Sequence, residues 1–331
     1  MSRANWDRFW TLLGPFLILV FVNLLFAALL AWKDSRNETE DLKHFFSLAN
    51  LVIVLTQTVI VAIGALGMTM IIVSGGIDLS VGSVIALTSV LGAVMIREQN
   101  PLPWVVTATI LAGGCIGVVN GFLIAAFRLM PFIVTLGMLG IGRGLAKWLA
   151  QNQTVNFSES PIGNIMNVPI FGDAMPPWGV GITVMLAIAM TVVMRQTIFG
   201  RYVFAIGSNE ATARLCGIRT GRIKLLIYTI AGLFVGLAGV MQLSRLRQGD
   251  PTAAAGLELD IIAAVVIGGA SLSGGTGSIL GSMIGALTMA VLRVGSQYMD
   301  WPTYMQEIII GILIVLAVAL DRLRQKRNPS G

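Results

Sequence analysis

Two short phrases hold most of the polar chemistry open to this chain. Residues 75–80 read Gly75-Gly76-Ile77-Asp78-Leu79-Ser80, and residues 268–273 read Gly268-Gly269-Ala270-Ser271-Leu272-Ser273. Each follows an aliphatic run, and each is followed by Gly-Ser (Gly82-Ser83, Gly277-Ser278) and another apolar stretch. A glycine pair in such a run breaks a helix and frees backbone amides and carbonyls. Hydrocarbon tolerates them only where protein or a water-filled cavity satisfies them. Matched breaks in two halves of a membrane chain point to a solute path, so the chemistry is hydrogen bonding to a passing solute rather than bond making. The candidate gate residues are Gly75, Gly76, Asp78, Ser80, Gly268, Gly269 and Ser271.

Few other residues can react. His44 is the one histidine and falls in a polar loop, so neither a multi-histidine metal site nor a Ser-His-acid triad can be assembled. Cys115 falls in an apolar stretch and Cys216 in a basic loop, and they are not expected to pair. Gly274-Gly275-Thr276-Gly277-Ser278 superficially resembles a phosphate loop but lacks its Gly-Lys-Ser/Thr ending and has no lysine nearby. No metal and no ATP are expected on this chain. Asp78, Arg143, Lys147, Asp260, Arg293 and Glu307 lie in or beside apolar spans, most within a turn or two of a span end, where snorkelling accounts for them. An ion-driven pump uses acidic relays deep in its bundle, and Asp78 is the one candidate. An ion-coupled secondary transporter of a small neutral solute is therefore the second reading.

The elements that position these residues are membrane helices. Of 331 residues 56% are apolar and 11% charged, against roughly 25% charged in soluble domains. Runs of about 20 apolar residues recur, long enough for a hydrocarbon core of ~30 Å. The predicted fold is an all-α polytopic membrane protein, one permease-like domain over 1–331, with about ten transmembrane helices, some broken. The spans run near 11–32, 50–73, 81–97, 103–127, 132–150, 178–195, 223–243, 257–270, 277–297 and 303–320. The eighth is short, and a half-helix that dips in and returns is its alternative. Charge favours ten crossings. They gather Arg128, Arg195, Arg201, Arg214, Arg219 and Arg222 on the side of the tail Arg322–Arg327, so both termini are expected to be cytoplasmic. The net charge of +6 thus reports topology and not nucleic-acid binding, and the basic tail suits anionic membrane lipid.

A weak parallel repeat relates 50–97 to 257–297. Span lengths place the first glycine phrase near the cytoplasmic face and the second deeper, with Asp78 capping or gating. Glycine rows at Gly113/Gly117/Gly121, Gly232/Gly236 and Gly277/Gly281/Gly285 are read as tight packing within the subunit. Gln57, Thr58 and Asn120 are the candidate contacts along the substrate path, since a hydroxyl-rich solute needs amide and hydroxyl partners.

In the basic loop 196–222, Ser208 or Asn209 can cap a helix with Glu210 in its first turn, Arg214 in its last and Gly217 as its stop. A helix of about two turns needs docking to persist. It is either a connector that obeys the charge rule or a coupling helix, built from Asn209, Glu210, Ala211, Ala213, Arg214 and Gly217, that fits a cytoplasmic partner.

Four stretches resemble the ribose-type permease family of bacterial ABC importers: Ser74–Ser83, Pro131–Gly137, Ala205–Asn209 leading to Gly217-Ile218, and Val266–Gly269 leading to Gly281. The likeness runs from about 50 to 320. It implies a subunit of the bacterial inner membrane that pairs with a second permease subunit, itself or a paralogue. It also implies a cytoplasmic ABC ATPase holding ATP and Mg, and a periplasmic sugar-binding protein that delivers a monosaccharide or related polyol. The binding protein is expected on loops near 33–49, 151–177 and 244–257. The cytoplasmic loop is similar to the family's Glu-Ala-Ala-x-x-x-Gly coupling pattern, with one extra residue in Glu210-Ala211-Thr212-Ala213-Arg214-Leu215-Cys216-Gly217.

Overall fold

A computed structural model describes residues 3–37, 39–157, 160–169 and 175–327. The chain folds into helices α1 (Arg3–Asn37), α2 (Asp41–Phe45), α3 (Leu48–Val73), α4 (Val81–Arg97), α5 (Leu102–Ala126), α6 (Pro131–Leu149), α7 (Asn164–Asn167), α8 (Trp178–Gln196), α9 (Ile198–Ser208), α10 (Glu210–Leu215), α11 (Thr220–Leu246), α12 (Leu257–Ile267), α13 (Ile279–Tyr298) and α14 (Thr303–Arg327). Strands β1 (Val155–Asn156) and β2 (Gln248–Gly249) pair antiparallel, with Val155 opposite Gly249.

All ten predicted spans are helical, and seven helices are long and apolar enough to cross a membrane: α1, α3, α5, α6, α8, α11 and α13. The others are shorter. α4 has 17 residues, and the apolar part of α14 is Thr303–Leu316. With 11 residues, α12 rises about 16 Å, roughly half a hydrocarbon core. The expected loop 196–222 also contains more helix than foreseen. Thr197 Oγ1 accepts from Gly200 N at 3.2 Å and starts α9, whose Gly200, Val203 and Ile206 are buried at three-residue steps.

α3 and α12 form the centre. From Val59 to Val73 every residue of α3 is buried, as is every residue of α12 from Asp260 to Ile267. A helix apolar on all sides belongs inside the protein. The glycine rows bring backbones together within the subunit, as expected. A Cβ on Gly113 would overlap the Gly232 carbonyl and one on Gly117 the Tyr228 carbonyl, so α5 lies against α11. Gly281 and Gly285 likewise meet Gly268 and Ala264, so α12 lies antiparallel to α13.

Candidate functional site

Both helix breaks use one backbone device. After α3, Gly75 takes φ +83; its amide donates to Ile72 O (2.9 Å), and Gly76 N donates to Ile71 O (2.9 Å). After α12, Gly269 takes φ +88; its amide donates to Val266 O (2.9 Å), and Ala270 N donates to Val265 O (3.1 Å). These are glycine C-caps with a left-handed residue just past the helix. The backbone therefore equates Gly75 with Gly269, one residue out of step with the written match of Gly75 to Gly268. Asp78 corresponds to Leu272 rather than to Ser271.

The breaks also touch. Gly275 N donates to Val73 O at 2.8 Å, and a Cβ on Gly274 would stand 3.1 Å from Gly75 Cα. The expectation that the second phrase lies deeper is thus corrected. Gly277 packs against both Val73 and Ala270, which holds the loop after α12 level with the end of α3. Asp78 and Ser271 are both buried, at 6% and 5% exposure. Gly207, at the end of α9, fills the junction: a Cβ there would overlap Val73 O and lie 2.6 Å from Gly275 N.

Polar groups from three helices line the first break. The Asp78 carboxylate accepts from Ser80 N (2.8 Å) and Ser80 Oγ (2.6 Å), a capping contact at the start of α4. Asn120 Nδ2 on α5 donates to Ser80 Oγ (3.2 Å), and Thr135 Oγ1 on α6 donates to Ile77 O (3.3 Å). The Tyr228 hydroxyl on α11 stands 2.6 Å from where a Gly76 Cβ would be. That hydroxyl and Asn120 Oδ1 are buried without a hydrogen-bond partner among the described residues. Asn120 therefore belongs to the break and not to one path surface with Gln57 and Thr58. Those two are partly buried in the opposite half of α3, about 24 Å before Val73 along the helix. Thr58 Oγ1 donates to Val54 O (2.7 Å).

α9 leads directly into α10. Asn209 Oδ1 accepts from Thr212 N (3.0 Å) and caps α10. Gly217 closes it at φ +84, with Ile218 N donating to Ala213 O (3.1 Å). Arg214 Nη2 donates to Glu210 Oε1 (2.6 Å), Lys224 Nζ to Glu210 Oε2 (2.7 Å), and Arg214 Nε to Thr220 Oγ1 (3.0 Å). Burial opposes ionisation of Glu210, but hydrogen bonds from Lys224 and Arg214 outweigh it and hold the carboxyl below its ordinary range. Ala213 faces inward at 4% exposure, Ala211 faces outward, and Leu215 stands free at 88%. Leu215 is a candidate contact that sequence reasoning passed over; its signal is the one large apolar side chain between Glu210 and Gly217.

Three charges expected to snorkel do not. Asp260 pairs with Arg293, and Arg143 Nη1 donates to Pro251 O (2.8 Å) and Ala253 O (2.7 Å). Glu258, also missed, lies against Gly82. Lys147 and Glu307 are exposed. At the far end of the bundle, Lys33 joins Asp41 (2.9 Å), Asp300 (2.7 Å) and Tyr298 O (2.6 Å) in the first expected docking loop. Residues 158–159 and 170–174 of the second loop lie outside the described residues.

A bundle of membrane helices, interrupted by paired breaks and carrying an exposed elbow where α9 turns into α10, defines the class: a multi-pass membrane permease. The chain belongs to the family described as branched-chain amino acid transport system / permease component, which matches residues 50–318. It is 40% identical over 291 residues to the ribose import permease of Escherichia coli strain K12, covering 85% of this chain and 88% of that one. It is 35% identical over 268 residues to an L-arabinose ABC transporter permease of Azospirillum brasilense, covering 80% and 78%. It is 34% identical over 319 residues to a fructose import permease of Rhizobium meliloti, covering 94% and 85%. No solved structure matches. The chain is a multi-pass transport subunit of the bacterial inner membrane.

Proposed function

We propose that this permease passes a monosaccharide or related polyol inward, driven by ATP hydrolysis in a cytoplasmic ABC ATPase and supplied by a periplasmic sugar-binding protein. The reading has ten crossings, both termini and α10 in the cytoplasm, and a second permease subunit, identical or paralogous. The relatives named for ribose, arabinose and fructose support the sugar class. The observation that carries the mechanism is the elbow. α10 presents Ala211 and Leu215 outward, while the adjoining Gly207 sits on both helix breaks at once. A partner that pushes α10 therefore acts on Val73 and Gly275 without an intervening loop. Each partner biases a two-state bundle by binding one state better than the other.

The test is uptake of labelled D-ribose, L-arabinose and D-fructose by cells carrying the complete importer with Glu210→Ala and Gly217→Pro. Uptake should fall about tenfold or more while the ATPase stays attached in pull-down. Normal uptake with the ATPase bound removes the coupling role. Uptake into vesicles under a proton gradient without ATP supports the ion-coupled reading instead.

A further inference from the structure

Beside the start of α4, helices α6, α12 and α13 bring charges into a row that wraps the first turn of α12. Arg143 lies 12 residues from the start of α6, about 18 Å along its axis. It attracts Glu258 and Asp250. Glu258 is followed two residues later by Asp260, which is paired with Arg293. With Asp250 beside Arg143 and Arg245 beside Arg293, the row is charge-balanced at three carboxylates and three guanidinium groups.

Two features set it apart from a structural staple. A staple satisfies its members, yet Glu258 Oε2 and Arg293 Nε are buried with no hydrogen-bond partner among the described residues. Nor does the row's charge suit a lipid-facing position. Arg293 keeps 34% of its side chain exposed beside an Asp260 at 2%, and charges at membrane depth face the bundle interior or a water-filled cavity. Beside Arg143, Gly140 and Gly144 are open, with nothing within 4 Å of a Cβ. Across from Glu258, Gly82 brings bare backbone to the carboxylate.

We infer that Arg143, Glu258, Asp260 and Arg293 line the solute path beside the start of α4, with Glu258 and Arg293 hydrogen-bonding the hydroxyls of a neutral polyol as it passes. Carboxylate oxygens accept from hydroxyls and guanidinium groups donate to them. A balanced row does this without retaining an ion. The inference rests on the importer reading above and gives it a contact site.

The experiment uses the complete importer in a Cys115→Ser, Cys216→Ser background. Glu258→Gln keeps shape and removes charge, so assembly and binding-protein-stimulated ATP hydrolysis should stay within about twofold while D-ribose, L-arabinose or D-fructose uptake falls about tenfold or more. Glu258→Cys should react with a membrane-impermeant thiol reagent added outside, as should Thr252→Cys in the exposed adjoining turn. Uptake by Glu258→Gln within about twofold of the parent, or an unreactive Glu258→Cys beside a reactive Thr252→Cys, overturns the inference. If the parent importer carries none of the three sugars, the sugar reading fails, and the thiol labelling alone decides whether the row is water-lined.

Discussion

Gly207 is the residue on which the elbow depends. Its missing side chain lets α9 close on Val73 O and Gly275 N, both backbone atoms that cannot rotate away. Gly207→Ala should force the elbow off the breaks at a cost of about 1–3 kcal/mol, leaving a folded bundle whose sugar uptake falls about tenfold or more. Uptake near the parent level, with equal amounts of protein in the membrane fraction, would show that the seat is dispensable. Residue types were largely legible at this scale. Glycines at both breaks and Asn209 as a cap follow from local chemistry, and the structure uses them so. Partner choice was not legible. Either glycine of each pair can take the left-handed position, so only the bonds to Ile71, Ile72, Val265 and Val266 set the register. Nothing local tells Asn120 to bond Ser80 on another helix.

Elements follow the same division. The spacing of Gly113, Gly117 and Gly121 disclosed a contact face, and α11 is what it meets. Gly117→Val should push α5 from the Tyr228 carbonyl and destabilise the subunit by about 1–3 kcal/mol. Gly137→Ala, on an open stretch of α6 with nothing within 4 Å, should instead gain about 0.5–1 kcal/mol from helix propensity. Thermal unfolding of the two purified variants reads the opposite signs, and a shared sign would contradict the packing. α9 escaped sequence reading because Gly200 and Gly207 look like loop residues. In place they are close-approach points, against Met194 and Val73. α12 was visible as a weak span because Gly256 and Gly268 bracket it; that its burial is complete from Asp260 onward depends on neighbours no local pattern reveals.

For the whole molecule, the question is which parts move together. α3 and α13 are the most buried of the seven long helices, at 67% and 72% of their apolar windows, while α1, α5, α6 and α8 lie between 22% and 28%. Thr69 Oγ1 on α3 donates to Ser282 Oγ on α13 at 2.7 Å inside this centre. The two breaks extend from it, tied by the bond from Gly275 N to Val73 O. Dense cores are bistable at their borders rather than deformable within, so α3, α12, α13 and both breaks should travel as one body against the outer helices. A Thr69→Cys, Ser282→Cys pair, in the background lacking Cys115 and Cys216, places two sulfurs where a pair of hydroxyls already meets. After oxidation its sugar uptake should stay within about twofold of the reduced protein. A loss of about tenfold that a reductant reverses would mean that α3 and α13 part at this contact during transport, and the hinge would then lie between the breaks and not outside them.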